Sequence, residues 1–341
     1  MSKRHLTQQQ RRRIDRHQGD RIRRQTVDEA LASQGDEQIG LVMVHRGALL
    51  EVESRDADGH PLRVQCHQRA NIEPIAVGDR VVWRRTGIAG EGVITALLPR
   101  SALLARPSSH GGLRPIAANL DLVVIVLAPQ PAPIEILLDR YLVAVEQIGI
   151  DAMLVLNKCD LLTSLPAADA DSVRALLELY RGLGYPTLET SCHDHSGMAA
   201  LTERLQRRTA ILVGQSGVGK SSLLKALLPE VEIALGAISA ANLRGRHTTT
   251  TAQLYHLPQG GDLIDSPGVR EFGLWHLSPD AVWAGFRELR PLLGRCRFRD
   301  CQHQQEPDCA LTTAIAAGVM APSRWQNLRR ILANDGSDSG Q

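Results

Sequence analysis

The chain has 341 residues, 43% hydrophobic and 22% charged, enough to bury a sizeable core and to divide into two or three domains. No stretch reaches the roughly 20 uninterrupted apolar residues that cross a bilayer, and residues 1–25 are polar and Arg-rich without the apolar centre of a signal peptide. A cytoplasmic protein without membrane contact is therefore expected.

The formal charge of +2 is unevenly spread. Residues 1–24 carry nine Lys and Arg against Asp15 and Asp20, which makes a +7 arm on a body of −5. A cationic arm suits a polyanionic partner, because neutralised phosphates release their counterions. A solubilising tail without a target is the plainer alternative.

Residues 39–100 show five short β-type runs broken by Gly or Pro: Ile39 to His45, Ala48 to Glu53, Leu62 to His67, Asp79 to Arg84 and Gly92 to Leu98. Their number and spacing predict a small OB-like barrel. Trp83 is the only aromatic residue with a ring large enough to stack there, and it reads as core.

From Asn119 the pattern becomes alternating strands and amphipathic helices. Strands are predicted at Leu122 to Leu127, Ala152 to Leu156, Thr187 to Thr190, Thr209 to Val213, Gln253 to Leu257 and Leu263 to Asp265. Helices are predicted near Ile134 to Ile148, Ser172 to Leu183, Met198 to Arg207 and Lys220 to Leu228. This alternation predicts a doubly wound α/β sheet with ligand loops at the strand C-termini. Beyond Gly273 the strands stop, and helices at Pro279 to Leu293 and Pro322 to Ala333 flank a Cys/His cluster.

Thr209 to Val213 runs into Gly214, Gln215, Ser216, Gly217, Val218, Gly219, Lys220, Ser221 and Ser222, then an amphipathic helix. That is a phosphate loop in its strand-to-helix setting. Its glycines let backbone N–H groups face phosphate oxygens at a helix N-terminus. Lys220 is expected to reach the β- and γ-phosphates and Ser221 to ligate Mg²⁺.

Asn157, Lys158, Cys159 and Asp160 follow the apolar run Ala152 to Leu156. A carboxylate at Asp160 accepts from guanine N1–H and N2–H₂, which adenine does not offer. Guanine is therefore selected, and an ATPase is disfavoured. Asn157 is expected to brace the loop and contact the purine, with the Lys158 stem against the ring. Ser191 and Cys192 end another strand, where backbone N–H groups can meet guanine O6; an ordinary turn is the alternative.

Asp265, Ser266, Pro267 and Gly268 form a DxxG switch, with Asp265 holding Mg²⁺ through water and the Gly268 N–H sensing the γ-phosphate. Within the polar segment Gly245 to Thr251, Thr249 is the favoured third Mg²⁺ contact, against a merely solvated loop. Ras-like switches place a water-orienting Gln after DxxG, but here the residue is Val269. Slow intrinsic hydrolysis follows. His247 is the candidate replacement, unless it is a structural loop histidine.

Cys296, Cys301, His303 and Cys309 lie within fourteen residues. Three thiolates and an imidazole fill a tetrahedral shell, so one structural zinc per chain is expected; redox-sensing cysteines are the alternative.

The order of base reader, phosphate loop, threonine switch and DxxG is a circular permutation of the usual GTPase order. With the barrel before it and the Cys₃His module after it, the chain resembles the ribosome small-subunit-dependent GTPase A family, RsgA or YjeQ. The resemblance covers nearly all of residues 39–335. It implies late maturation of the small ribosomal subunit, with GTP hydrolysis to GDP stimulated by the subunit and coupled to release, and rRNA contact by the barrel and zinc module.

The expected fold is thus multidomain α/β. It comprises a basic flexible arm (1–38), an OB-like β-barrel (39–103), a circularly permuted P-loop GTPase domain (104–274), a C-terminal helical zinc-binding module (275–335) and a disordered tail (336–341). The expected cofactors are zinc and Mg²⁺ with GTP, and a monomer is expected. An RNA-binding scaffold with a passive nucleotide, and a permuted GTPase acting on the large subunit, are the competing readings.

Overall fold

The computed structural model describes residues 36–56, 58–107, 112–229, 252–266, 277–303 and 306–334. They fall into two compact units, one within Met1–Ile75 and Arg80–Pro99, the other within Ala76–Asp79 and Arg100–Gln341. Residues 1–35 of the basic arm, His247, Thr249, Gly268 and Val269 lie outside the described residues.

The first unit is a closed barrel of β1 (Gln38–Arg46), β2 (Leu49–Arg55), β3 (Pro61–Gln68), β4 (Arg80–Arg85) and β5 (Glu91–Leu97). Neighbouring strands run β1-β2-β3-β5-β4 and return to β1, with only β3 and β5 parallel. Period-two alternation fills it: Leu50 and Val52 point in, as do Val64 and Cys66, around Trp83 and Ile94. Trp83 is fully buried and needs glycine on both sides. A Cβ at Gly40 would lie 3.1 Å from its Cδ1 and 2.3 Å from Val52 Cγ1, and one at Gly92 would lie 2.7 Å from its Cε3. Burial pushes the Cys66 thiol up to about 12, so it is an inert core residue.

Strand β4 begins one residue later than the sequence pattern suggests, because Asp79 is fully buried and does other work. Its carboxylate accepts twice from Arg100 at 2.7 Å and once from the Ala76 amide at 2.7 Å. All of these residues belong to the second unit. That unit also contains a hairpin the sequence reading missed, β6 (Leu103–Pro107) and β7 (Leu113–Ala118).

The central sheet of the second unit comprises β8 (Leu122–Leu127), β9 (Asp151–Asn157), β10 (Thr187–Thr190), β11 (Thr209–Val213), β12 (Ala252–His256) and β13 (Asp262–Asp265). Its order is β10-β9-β8-β11-β13-β12, parallel except for β12. Every residue of β8 is buried, as a strand covered on both faces requires. The chain winds from β8 to one side through β9 and β10, then returns to β11 on the other. This reversal puts the loops after β8, β9 and β11 beside one another at the strand C-termini.

Among the described residues, four helices cover this sheet: α1 (Glu135–Ile148), α2 (Ala167–Gly182), α3 (Met198–Leu205) and α4 (Lys220–Leu227). Helix α2 starts five residues before the predicted Ser172. Pro166 fixes the entry, whereas a first turn of three Ala and one Asp carries no large apolar residue to mark the period. The predicted helix Pro279 to Leu293 is instead α5 (Pro279–Ala284) and a 3₁₀ segment, Arg287–Leu292. The break falls at Gly285, where a Cβ would lie 2.8 Å from Val143 Cγ1 of α1, so the close approach of the two helices requires glycine there. Helices α6 (Ala310–Ala316) and α7 (Pro322–Asn334) follow.

The C-terminal helices are fastened to α1 by buried charge. Arg324 on α7 is 1% exposed and Asp139 on α1 is fully buried. Arg324 donates to Asp139 and, at 2.6 and 3.0 Å, to Glu288. Tyr180 and Asn327 also donate to Asp139, at 2.7 and 2.8 Å. Nearby, Glu146 accepts from Arg287 at 2.6 Å and Arg290 at 2.5 Å. Burial pushes the Asp139 carboxyl up to about 6 against the pull of Arg324.

Replacing one member of a buried pair strands its partner's charge. Arg324→Ala is expected to lower stability by roughly 3–5 kcal/mol, read by urea unfolding with tryptophan fluorescence. Arg84→Ala, which breaks the exposed pair with Glu37, should change it by less than about 1 kcal/mol.

Candidate functional site

The phosphate loop leaves buried β11 and closes on α4, whose first residue is Lys220. Three glycines permit its path, at φ 138° for Gly214, 84° for Gly217 and 93° for Gly219. Two of them also admit close neighbours. A Cβ at Gly214 would sit 2.3 Å from Val126 O, and one at Gly219 would sit 2.2 Å from Asn157 Nδ2. The Lys220 ammonium donates to the carbonyls of Gly214 and Gln215, both at 2.7 Å. Ser216, Ser221 and Ser222 are exposed and Val218 is buried, so the polar side of the loop faces out and its apolar side joins the core.

The end of β9 carries Asn157, which is 1% exposed. Its Nδ2 donates to Val218 O at 2.9 Å, tying the loop after β9 to the phosphate loop. Its Oδ1 accepts from Thr190 at 3.4 Å and from the Cys192 thiol at 3.9 Å. Lys158, at φ 60°, turns the chain and donates to Gly217 O at 2.6 Å and Gln130 O at 3.2 Å. A 3₁₀ turn, Cys159–Thr163, then presents Asp160 half-exposed.

After β10, the Ser191 amide donates to Ser196 O at 3.0 Å and its hydroxyl accepts from the His193 amide at 3.1 Å. Ser191 is thus engaged in its own turn, while Cys192 stands beside Asn157. Cys159 lies 3.8 Å from the Ser196 hydroxyl. Burial pushes the thiols of Cys159 and Cys192 up, which suits neutral packing groups.

Asp265 ends β13, next in the sheet to β11. Burial pushes its carboxyl up, and Lys220 pulls it back. The phosphate-loop lysine and the first residue of DxxG therefore share one electrostatic neighbourhood. The sequence reading missed the Gln130–Pro131 loop, whose carbonyl holds Lys158 and whose Pro131 ring would lie 3.5 Å from a Cβ at Gly217. No motif marks it, and only the placement of β8 between β9 and β11 reveals it.

In the C-terminal helices, Cys296, Cys301, His303 and Cys309 bring four ligand atoms within 4.8 Å of one another. Cys296 Sγ lies 3.8 Å from Cys309 Sγ, and both sulfurs lie 3.5 Å from His303 Nδ1. A tetrahedral zinc with its usual Zn–S and Zn–N bonds has edges of about 3.8 Å between sulfurs and about 3.6 Å between sulfur and nitrogen. The four groups fit such a metal centre. Burial raises the Cys309 thiol, but hydrogen bonds from Thr312 and the contacts with His303 and Cys301 outweigh it and bring Cys309 down to about 6. Cys309 also caps α6 by accepting from the Thr312 amide. The buried Trp283 ring packs edge-on against His303, 5.1 Å between centroids. All six cysteines are free, with no disulfide among them.

Gly219→Ala would force Asn157 away from Val218. It is expected to weaken binding of a fluorescent GDP at least tenfold, about 1.4 kcal/mol. Gly87→Ala, where nothing lies within 4 Å, should leave that titration unchanged.

Known proteins match this arrangement along its whole length. A sequence profile described as RsgA GTPase matches residues 97–275. A protein of Pseudomonas putida named Small ribosomal subunit biogenesis GTPase RsgA is 49% identical over 346 residues, covering 99% of this chain and all of that one. Its namesake in Pseudomonas fluorescens is 50% identical over 341 residues, covering 98% of each. The crystal structure of YjeQ from Thermotoga maritima superposes with a TM-score of 0.67 at 32% identity, covering 88% of this chain and 98% of its own. That of YloQ, a circularly permuted GTPase, gives 0.67 at 28% identity over 90% and 97%. Closed barrel, permuted nucleotide domain and Cys₃His cluster agree with these matches, and the chain belongs to the RsgA GTPase family.

Proposed function

We propose that this chain binds GTP with Mg²⁺ across the loops after β9 and β11, and hydrolyses it to GDP and phosphate while docked on the small ribosomal subunit. GTP hydrolysis and a place in small-subunit biogenesis come with membership of the family. The observation that carries the site assignment is the bond from Asn157 to Val218, which holds a guanine reader against a phosphate loop from a later part of the chain.

Asp160 reads the base by accepting from N1–H and N2–H₂, and the Cys192 amide faces O6, since that of Ser191 is engaged. Asn157 acts as the brace, and the Lys158 stem lies beside the ring. Gly214, Gln215, Ser216, Gly217, Val218, Gly219, Lys220 and Ser222 surround the phosphates. Ser221, Asp265 and Thr249 hold Mg²⁺, which when bound neutralises the charge shared by the β- and γ-phosphates. Gly268 senses the γ-phosphate. Val269 orients no water, so His247 takes that role when the subunit supports its loop. Release from the subunit follows hydrolysis.

Cys296, Cys301, His303 and Cys309 hold one zinc. With four protein ligands it keeps no open position and serves the fold. The partner is the small ribosomal subunit through its rRNA, and the protein works in the cytoplasm as a monomer. Among the described residues no helix is long and apolar enough to cross a membrane.

Turnover of GTP and ATP, measured alone, with small subunits and with large subunits, tests this function. GTP turnover should be slow alone and raised by small subunits only, and His247→Ala should abolish the rise while GTP still binds. Stimulation by the large subunit alone would overturn the reading. Protein purified without added metal should contain one zinc per chain by atomic emission, and Cys309→Ser should lose it.

A further inference from the structure

Between the loop after β8 and helix α2, the second unit holds an open pocket of about 490 Å³, an ordinary volume for a small-molecule site. Its walls are prolines and aliphatic side chains. Pro129, Ala132 and Pro133 come from the loop, and Leu165, Val173 and Leu176 from α2 and the segment leading into it. The polar lining is Gln130, Glu135, Asp169 and Ser172, with no Lys, Arg or His among the described residues.

These polar groups are mainly acceptors. Glu135, in the first turn of α1, has its Oε2 buried with no hydrogen-bond partner among the described residues. Asp169, in the first turn of α2, is exposed. The Ser172 hydroxyl donates to Ala168 O at 2.8 Å, which leaves it lone pairs and no proton to offer. A buried carboxylate oxygen without a donor is costly, and a cation carrying N–H groups relieves that cost.

The walls restrict which cation fits. A divalent metal takes about six oxygen ligands, which prolines and aliphatic groups do not supply. A quaternary ammonium is recognised by aromatic faces, and no aromatic residue lines the pocket among the described residues. Ammonium groups on an aliphatic chain suit both surfaces, with N–H donors for the carboxylates and methylenes for the walls. Two carboxylates, one from each helix, match two such groups.

The pocket also shares a wall with the nucleotide site. Gln130 lines it, and the Gln130 carbonyl accepts from Lys158 at 3.2 Å. The adjoining Pro131 ring would lie 3.5 Å from a Cβ at Gly217 of the phosphate loop. Fixing this segment from the pocket side therefore pre-organises the Lys158 contact on the other.

We propose that this pocket is an effector site for an aliphatic polyamine, which binds through Glu135 and Asp169 and tightens guanine-nucleotide binding through the Gln130–Pro131 segment. By linkage the nucleotide tightens the amine by the same factor. The coupling rests on the nucleotide site proposed above, whereas the amine site does not.

The test is calorimetric titration of the full zinc-loaded, nucleotide-free chain with spermidine. One saturable site per chain is expected, and the uncharged 1,8-octanediol should give none. Glu135→Gln should weaken binding about tenfold and Asp169→Asn about threefold. Asp171→Asn, which removes an exposed carboxylate paired with Arg174, should leave it unchanged. Ser172→Trp fills the pocket from an exposed helix position, and should block the amine while zinc content and amine-free GDP binding stay unchanged. Spermidine should tighten fluorescent GDP about fivefold in the wild-type chain. It should not do so in Glu135→Gln or Ser172→Trp, which separates the effect from pairing of the amine with nucleotide phosphates.

No saturable binding, equal weakening by Asp171→Asn, or a shift in GDP affinity that survives in Glu135→Gln would each overturn the proposal. So would spermidine binding that leaves GDP affinity unchanged. Failure of the wild-type chain to bind GDP at all would sink the proposed function instead, leaving the amine site standing.

Discussion

The bonds from Asn157 to Val218 and from Lys158 to Gly217 hold the nucleotide site together. They join loops about sixty residues apart, and both loops depend on the contact. Gly219 must lack a Cβ because Asn157 lies where one would project, and Asn157 must be buried because its donor serves a backbone carbonyl. A buried amide that lost this partner would carry the cost of an unsatisfied polar group. The sheet makes the meeting possible, since β8 lies between β9 and β11 and brings their C-terminal loops to one edge.

A second constraint concerns the C-terminal helices. In the sequence these helices follow directly after the DxxG segment. The structure fastens them to α1 through Asp139, Glu146, Glu288, Arg287, Arg290 and Arg324, several of these residues buried. Burying such charges is costly unless they are paired and hydrogen-bonded, and here Tyr180 and Asn327 add two donors to Asp139 beside Arg324. Helix α1 begins just beyond the Gln130–Pro131 loop that holds Lys158, so the same helix supports the nucleotide site at one end and the Cys₃His module along its length.

The Cys₃His cluster has its own supports. Trp283 of α5 packs against His303, and Cys309 caps α6. The metal ligands are therefore part of the helical packing around them, and the segment between Cys296 and Cys301 is held out from it with Phe298 exposed.

Much of this was legible in the sequence because the chemistry is local. A phosphate loop needs glycines and a lysine within nine consecutive residues, a guanine reader needs Asp160 three residues after Asn157, and a metal needs four ligands at short spacing. The parallel strands were legible too, since continuous apolar runs such as Leu122 to Leu127 have little alternative. The 3₁₀ break at Gly285, the early start of α2 and the β6–β7 hairpin were not, because their signals are turn geometry and close approach rather than periodicity. Nor could spacing reveal that Asp79 pairs with Arg100, that the Ser191 amide is engaged, or that Asp139 meets Arg324 across 185 positions. The sequence by itself determined which groups could do chemistry. Only the tertiary structure decided which of them meet, because hydrogen bonds and buried ion pairs act over a few ångströms of space, whatever the distance along the chain.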